Sequence, residues 1–361
     1  MGRCLALALS RQGLRVGLRS EAARAALAQA DVRTYALNAR SVGLLQSLRV
    51  WDALPADART PVLDMRVQGD AVQGRAAAAL HFSAYEQAVD ALAWIVDAAE
   101  LDAALASAVR FSPHISVVAG DVSAPLTVVA EGKDAATREA LGARMQAQSY
   151  GHSGVAARLI SPWPHAGLAR QWFRSPDVLA LLPFDRPLPG RSYGLVWSVP
   201  QARAQELLAM TPQAFEQALA EATGGEAGTL QLQGPRAAWP LRVARAQALC
   251  GPGWVLVGDA AHVVHPLAGQ GLNLGLADVD SLAQVIEQRE RWRSLGDEKL
   301  LRRHVRRRHL PTLAMAGVTD GLWHLFAQES PWWREARHRG LQLVDRLGPL
   351  KKALTARALN S

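Results

Sequence analysis

The segment from Trp254 to Asp278 constrains the fold more than any other part of the chain. It opens with a short apolar run that has the composition of a buried strand, and Gly258 and Asp259 follow directly. A carboxylate in this position lies where open α/β sheets bind ligands, and it can accept hydrogen bonds from sugar-like hydroxyl groups. Apolar residues then recur with helical spacing at Leu274, Val279, Leu282 and Val285. The segment therefore predicts a strand, an acidic turn, a loop and a helix.

The loop before this helix is rich in glycine. Gly269, Gly271 and Gly275 follow Pro266 and permit close approach of a ligand to the backbone. The free N–H groups and the positive dipole end of the helix favour negative charge on that ligand. An unrelated glycine-rich turn is the alternative. It is disfavoured because the acid, the proline, the glycines and Asn273 all occur in order.

This segment resembles the second flavin fingerprint of the flavoprotein aromatic hydroxylases, the family with the para-hydroxybenzoate hydroxylase fold. The resemblance implies that Gly258 and Asp259 bind the ribityl chain of FAD. It also implies that the following loop lies along the isoalloxazine ring and tunes its charge. The residues placed at the ring are Pro266, Leu267, Ala268 and Gly269, and those placed at the cofactor are Gly269, Gln270, Gly271, Leu272 and Asn273.

Composition limits the classes of protein to consider. A chain of 361 residues, 49% hydrophobic and 20% charged, can build a large core in two domains. Two cysteines form no disulfide framework, and a His-x-x-His pair at His262 and His265 lacks a third metal ligand, so no metal site is predicted. The sequence has no apolar run of the roughly 18 residues that span a bilayer. We therefore expect a cytoplasmic protein. Peripheral association with the inner membrane surface is a further possibility that the sequence leaves open.

The chain is basic, with 40 Lys and Arg against 32 Asp and Glu and a net charge of +8. Its sequence shows none of the standard nucleic-acid-binding signatures, so no nucleic-acid partner is predicted. Two interpretations remain open. The arginines form a solvated helix face, or they attract the protein to an anionic membrane or a membrane-bound biosynthetic complex. The cluster comprises Arg302, Arg303, Arg306, Arg307 and Arg308, followed by a basic tail.

The amino terminus predicts a helix over residues 1–13, ended by a glycine, and a strand at Leu14–Leu18. In the family such a helix follows a strand and a Gly-x-Gly-x-x-Gly turn that cradles the FAD pyrophosphate. Gly2 corresponds to the last of these glycines, and the strand and the first two glycines are missing. Either the chain starts at an internal methionine of a longer protein, or it is a shortened relative with weakened flavin binding. Ser20 or Glu21 is the candidate for the adenosine ribose.

Three further segments resemble the family, and the one that contains Arg33 resembles its ubiquinone-biosynthesis branch. Arg33 stands in an Arg-x-x-Ala-Leu segment, which implies a position near the flavin, although a surface arginine is the alternative. Asp97 replaces the usual Glu of a Val-Glu-Asn helix. Glu131 and Gly132 replace an Asp-Gly pair that serves FAD and nicotinamide nucleotide. The longer Glu side chain puts nucleotide positioning in doubt.

The middle of the chain carries short, partly alternating apolar runs separated by Pro, Gly and Arg. The runs at 168–173, 178–183, 193–199 and 229–233 predict a mainly antiparallel sheet. The expected fold is α/β: a doubly wound FAD/NAD(P)-binding domain at 1–60, 85–140 and 240–325, an inserted mainly antiparallel β substrate domain at 61–84 and 141–239, and a C-terminal helical segment at 326–361. Candidates for the substrate cavity, or alternatively for plain core, are Trp197, Trp239 and Leu241.

The resemblance covers nearly the whole chain and implies an FAD-dependent monooxygenase. It implies hydroxylation of a (poly)prenylated phenol in ubiquinone biosynthesis, through a flavin C4a-hydroperoxide, with NAD(P)H and O2. Two alternatives stay open: a hydroxylase of a soluble aromatic compound, and a flavin-free accessory or lipid-binding subunit if the short amino terminus is genuine. No catalytic base is predicted, because no acid or histidine in the substrate region stands out.

Overall fold

The computed structural model describes residues 1–19, 31–69, 78–120, 122–133, 135–264 and 270–327. The helices are α1 (Gly2–Arg11), α2 (Ala39–Ser47), α3 (Ala98–Arg110), α4 (Ala136–Ala140), α5 (Gln201–Ala209), α6 (Pro212–Thr223), α7 (Gln270–Glu287) and α8 (Glu298–Ala327). The strands are β1 (Val16–Arg19), β2 (Thr34–Leu37), β3 (Arg59–Val62), β4 (Asp64–Gln68), β5 (Ala79–Ser83), β6 (Ala93–Asp97), β7 (Ile115–Val118), β8 (Thr127–Val129), β9 (Met145–Ile160), β10 (Leu168–Arg174), β11 (Asp177–Phe184), β12 (Ser192–Pro200), β13 (Gln231–Ala246), β14 (Cys250–Gly251), β15 (Trp254–Leu256) and β16 (His262–Val263).

The predicted helix and strand at the amino terminus are confirmed as α1 and β1. Gly13 ends the helix with φ of +78°, a conformation that costs little without a Cβ. The N–H groups of Gly13 and Leu14 then donate to the carbonyl oxygens of Ser10 and Leu9. These bonds satisfy the last carbonyls of α1 and turn the chain back into β1.

Parallel strand pairs form the part of the fold that α1, α3 and α7 cover. Strand β1 pairs with β7 in parallel, and β15 pairs in parallel with β8 and antiparallel with β14. One core joins these strands to the three helices through apolar side chains such as Leu5, Leu101, Val255 and Val279. This arrangement is the α/β layer that the sequence predicts.

No ladder hydrogen bonds connect β1 to β8 in the described part of the chain. Side chains connect the two pairs of strands instead. Arg19, the last residue of β1, donates from Nη2 to Oε1 of Glu131, which follows β8, at 2.6 Å. Gly2 lies beside both pairs of strands. A Cβ there would be 3.6 Å from Cβ of Ala130, which follows β8, and 3.8 Å from Cδ1 of Leu18 in β1. The start of α1 therefore spans both strand pairs.

The second part of the fold is an eight-stranded sheet in the order β16-β13-β9-β12-β11-β10-β4-β5. All neighbours are antiparallel except β10 and β4. The prediction of a mainly antiparallel sheet is confirmed, but the sequence reasoning missed β9 and the length of β13. Each of these strands has 16 residues. The first half of β9 is polar and mostly exposed, so it lacks the apolar alternation that identifies a strand.

The two faces of this sheet differ. One face packs on α5 and α6 through side chains that include Leu159, Trp172, Leu195 and Phe215. The other face carries the three-stranded sheet β2-β6-β3 on part of its area. Contact there is tight, because a Cβ at Gly194 would lie 2.3 Å from Oγ1 of Thr34. The remainder of this second face lies beside the α/β layer.

Helix α8 packs along α7 and buries Leu300 and Leu301 completely. Among the residues described, no helix is both long enough and apolar enough to span a bilayer. Arg302 and Arg303 form ion pairs with Glu298 and Glu290. Arg308 is buried, so the basic cluster is not one continuous exposed face. The basic tail beyond residue 327 lies outside the described residues.

Candidate functional site

The turn after β15 has the geometry that the sequence predicts. Gly258 adopts φ of +61°, which favours glycine. A Cβ at this position would also lie 2.8 Å from Cγ of Met1, so the backbone of the turn packs closely against the start of α1. Asp259 follows at the carboxyl end of the parallel strand β15, where α/β sheets bind ligands.

The carboxylate of Asp259 reaches solvent. Desolvation by the surrounding protein atoms nevertheless raises its pKa, and the positive charges of His262, the amino terminus and Lys133 oppose this increase. Such a carboxylate lies in a depression of the surface, in contact with both protein and solvent. It gains from a ligand whose hydroxyl groups donate hydrogen bonds to it.

Helix α7 begins close to this turn, since a Cβ on its residue Gly275 would lie 3.2 Å from Cγ of Met1 and 2.8 Å from its Sδ. The N–H groups of its first turn have no partner inside the helix, and the dipole adds positive potential there. A Cβ at Gly271 would have no described atom within 4 Å, so a ligand can approach the backbone. The predicted ring residues Pro266, Leu267, Ala268 and Gly269, as well as His265 and the side chain of Gln270, lie outside the described residues.

Asn273 and Leu272 have internal contacts. Asn273 is 2% exposed; its Oδ1 accepts hydrogen bonds from the backbone N–H of Asn38 at 3.1 Å and from Oγ of Ser41 at 2.7 Å. Its Nδ2 donates to the carbonyl oxygen of Ala36 at 2.8 Å. Leu272 packs against the helix core. The amide of Asn273 therefore joins α7 to β2, α2 and the connection between them.

Arg33 connects the two parts of the fold. Its Nε and Nη2 donate to the two carboxylate oxygens of Asp31 at 2.8 and 2.6 Å, and this bidentate contact raises the pKa of Arg33. The guanidinium carbon lies 5.8 Å from the ring centroid of Tyr35 and 5.5 Å from that of Trp239. Trp239 belongs to β13 of the large sheet. Arg33 thus stacks at the boundary between the α/β layer and the eight-stranded sheet.

The three predicted substrate residues lie on different faces of the large sheet. Trp239 and Gly154 are opposite each other in β13 and β9, and a Cβ at Gly154 would lie 3.3 Å from Leu241. Trp239 and Leu241 therefore share the face beside Arg33. Trp197 lies on the other face, where it packs near Phe215 and donates to Asp177 at 3.2 Å. This position fits the core role that the sequence left open for Trp197.

The comparisons with known proteins agree with this geometry. The family described as FAD binding domain matches residues 1–316. The chain belongs to this FAD-binding family. It is 29% identical to ubiquinone hydroxylase UbiL of Rhodospirillum rubrum over 385 residues, which cover 100% of this chain and 87% of the relative.

It is also 30% identical to 3-demethoxyubiquinol 3-hydroxylase of Escherichia coli, over 99% of this chain and 96% of the relative. Among solved structures, PqsL of Pseudomonas aeruginosa, described as a probable FAD-dependent monooxygenase, superimposes with a TM-score of 0.73 at 18% identity, covering 94% of this chain and 95% of that one. These findings confirm the para-hydroxybenzoate hydroxylase fold and an FAD-dependent monooxygenase.

The described residues fit FAD. The left-handed Gly258 and the partly desolvated carboxylate of Asp259 follow β15, and Gly271 lies in the first turn of α7, which packs against the same turn. Gly2 begins α1 at the same place, although neighbouring atoms would accommodate a Cβ there. Ser20 and Glu21, the candidates for the ribose, lie outside the described residues.

Two acidic positions that differ from the family pattern have local roles. Asp97 caps α3, since its Oδ1 accepts from the N–H groups of Ala99 and Glu100 at 2.9 and 3.2 Å. Glu131 accepts hydrogen bonds from Arg19 and from the side chain and N–H of Thr137 at the start of α4. Desolvation acts to raise the pKa of Glu131, but these hydrogen bonds outweigh it and lower the pKa.

Sequence reasoning missed several buried charged residues near the site. Arg158 of β9 donates to Oδ2 of Asp97 at 3.1 Å and to the carbonyl oxygen of Arg33 at 2.8 Å, so it supports the segment that carries Arg33. Asp278 and Arg308 form an ion pair behind the turn formed by Gly258 and Asp259. The sequence contained one signal for Asp278: it lies next to Val279 on the apolar side of α7, and a carboxylate there needs a buried partner.

Proposed function

We propose that this protein hydroxylates the ring of a (poly)prenylated phenol in ubiquinone biosynthesis, with NAD(P)H and O2 as co-substrates. The reaction consumes NAD(P)H, a proton, O2 and the phenol, and it yields NAD(P)+, water and the phenol carrying one more oxygen atom. The names of the two relatives, which match over nearly the whole chain, support this pathway. The chemistry that FAD supplies when bound is acceptance of hydride and activation of dioxygen at flavin C4a.

The observation that carries the proposal is the composition of the sheet face beside Arg33. Strand register places two rows of directly opposed residues on this face. None of the ten residues is charged, and most are small or apolar. They are Phe173, Val178, Ser198, Gly154 and Trp239 in one row, and Gln171, Ala180, Val196, Ala156 and Ala237 in the next.

An uncharged and mostly apolar face is better suited to bind a prenylated phenol than a charged aromatic acid. The transfer of an apolar tail from water to an uncharged surface of this kind is favourable. A charged substrate would need a buried counter-charge, because isolated charges are costly to desolvate. None of these ten positions offers such a group. Arg33 and Arg158, which border the face, already have carboxylate partners within the protein. The face therefore favours the prenyl-phenol over a soluble, charged aromatic compound.

The protein's own residues would position and shield the substrate. Trp239 and Leu241 stand on the sheet face next to Arg33, which fits a boundary between the substrate and flavin sites. A prenylated phenol is already electron-rich, so the proposal assigns no catalytic base. The apolar face would exclude water from the space between the substrate and the bound cofactor.

The test is product formation by purified protein supplied with FAD, each nicotinamide nucleotide and isotopically labelled dioxygen. We expect a polyprenyl-phenol to stimulate nucleotide oxidation and to gain one labelled oxygen atom, whereas 4-hydroxybenzoate gives neither result. Labelled product from 4-hydroxybenzoate alone would favour the soluble-substrate alternative. Absence of product from both, with no flavin retained, would favour the accessory subunit.

Peripheral membrane association is a separate proposal. The exposed Arg302, Arg306 and Arg307 on α8, together with the apolar substrate, support it. Arg302 already pairs with Glu298, which weakens its attraction to anionic lipid. Flotation with anionic liposomes at low salt is the measurement. We expect no flotation with neutral liposomes. If the intact protein also fails to float with anionic liposomes, the proposal is contradicted.

A further inference from the structure

A cluster of buried charged and polar side chains lies directly against the turn that carries Asp259. Asp278 of α7 is 2% exposed, His304 of α8 is 3% exposed, and Arg308 and His262 are also buried. Buried charges are costly unless partners compensate them. The contacts of this cluster indicate which part of the fold it stabilises.

Asp278 binds both ends of the flavin turn. Its Oδ2 accepts a hydrogen bond from the backbone N–H of Gly258 at 3.0 Å and lies 2.7 Å from Nε2 of His262. Gly258 precedes Asp259, and His262 follows it three residues later. One carboxylate oxygen therefore fixes the backbone before Asp259 and the strand that begins after it.

The other oxygen of Asp278 binds α8. Oδ1 accepts from Nε of Arg308 at 2.7 Å, and Nη2 of Arg308 donates to the carbonyl oxygen of Leu274 in α7 at 3.3 Å. His304 and Ser281 add a contact between the two helices at 3.1 Å. Desolvation acts to raise the pKa of Asp278, but His262 and Arg308 outweigh it and hold the pKa at about 2. The carboxylate stays charged at neutral pH.

We propose that Asp278 is a positioning residue for FAD: it holds the Gly258–Asp259 turn in its binding geometry, and Arg308 of α8 supplies the counter-charge that keeps it there. Asp278 acts through the turn and not by touching the cofactor. FAD affinity is thereby linked to the docking of α8 on α7. The inference rests on the assignment of Asp259 to FAD and is independent of which aromatic compound is hydroxylated.

The first experiment measures FAD affinity by quenching of flavin fluorescence, beside the thermal unfolding midpoint of the same protein without FAD. In Asp278→Asn the uncharged side chain loses its pairing with Arg308 and holds Gly258 less firmly. We expect the FAD dissociation constant to rise about tenfold or more. Asp280→Asn, which alters a partly exposed carboxylate two residues further along α7, is the matched control and should change it by less than about twofold.

Conservative replacement of His262 provides a second test. His262→Leu removes the hydrogen bond to Asp278, and we expect a rise in the FAD dissociation constant of about tenfold. His262→Gln keeps a side-chain N–H donor, so it should recover most of the affinity. Equal affinities for the Leu and Gln variants would contradict a role for this hydrogen bond.

A merely structural role gives a different result. The unfolding midpoint of Asp278→Asn would then fall while the folded variant bound FAD as tightly as the unaltered protein, and the proposal would be overturned. If Asp278→Asn does not fold, the His262 pair decides in the same way. Because no aromatic substrate enters these titrations, failure of the proposed hydroxylation leaves their outcome unaffected. Absence of FAD quenching by the unaltered protein would overturn this inference directly.

Discussion

The proposed flavin side and the proposed substrate side of the site are built from opposite kinds of residue. Behind the flavin turn, a buried carboxylate, an arginine and two histidines fix one short piece of backbone. On the proposed substrate side, ten uncharged residues share one face of the large sheet. A turn with a left-handed glycine needs hydrogen bonds to hold one backbone geometry. An apolar substrate needs only a surface of complementary shape from which water is excluded.

The largest expected effect is on the flavin side. Asp278→Ala leaves Arg308 buried without its counter-charge, and we expect a loss of about 3–5 kcal/mol in the free energy of unfolding. Urea denaturation measures this loss. Asp280→Ala, whose partner Arg40 is exposed, should cost under about 1 kcal/mol. Similar losses for the two variants would erase the contrast between the buried cluster and ordinary surface pairs.

Acid should weaken the same cluster through His304. Burial desolvates its imidazolium and lowers the pKa of His304 to about 4, with Arg308, His262 and Arg307 acting in the same direction and Asp278 against it. The folded state thus binds the proton less well than the unfolded state, so stability is full above about pH 6.5 and falls as the pH drops towards 4. Between pH 7 and 5 we expect a loss of about 2 kcal/mol that His304→Gln lacks. Parallel pH curves for both proteins would show that His304 is not the cause.

The two tryptophans test the assignment of the faces of the large sheet. Trp197→Phe leaves a gap beside Phe215 and removes the donor to Asp177, so we expect about 1.5 kcal/mol of destabilisation. Trp239→Phe should cost less stability, because Trp239 is only half-buried. It should instead raise KM for the aromatic substrate. Thermal unfolding and steady-state kinetics of both variants provide the comparison, and an unchanged KM with Trp239→Phe would remove Trp239 from the site.

The smallest expected effect comes from narrowing the substrate face. Ala180 is half-buried there, and Ala180→Leu should lower kcat/KM for the prenyl-phenol about fivefold, close to 1 kcal/mol, while FAD affinity is unchanged. Ala214→Leu on the exposed surface of α6 is the control. A loss of FAD affinity in Ala180→Leu would mean that the two sides are not separate.

Local signals predicted the flavin side well. The order of strand, Gly258, Asp259 and amphipathic α7 was readable, because each element depends on residues close in sequence. The partner Arg308 of Asp278 could not be predicted from the sequence, because it is 30 residues away and its contact depends on how α8 packs. The arginine cluster at 302–308 looked like one face, yet the structure directs Arg308 inward.

The substrate side was predicted only in outline. Alternating apolar residues indicated four strands of the large sheet, but the pairing of β9 with β13 joins residues up to about 100 positions apart, and no local pattern specifies its register. That register decides which residues share a face. For this reason Trp197 and Trp239 looked equivalent in the sequence and lie on opposite faces in the structure.

Strand β13 places both sides of the site on one continuous backbone. Its middle carries Trp239, and its end pairs with β16 through Ala244 and Arg245, next to the turn that Asp278 holds. Arg245 lies six positions after Trp239 in extended chain, a span of about 20 Å at most. The length of β13 between these two residues therefore fixes the distance between the substrate face and the turn. An insertion or deletion of two residues between these positions would shift the substrate face against the flavin turn by about 7 Å while keeping every side chain on its own face.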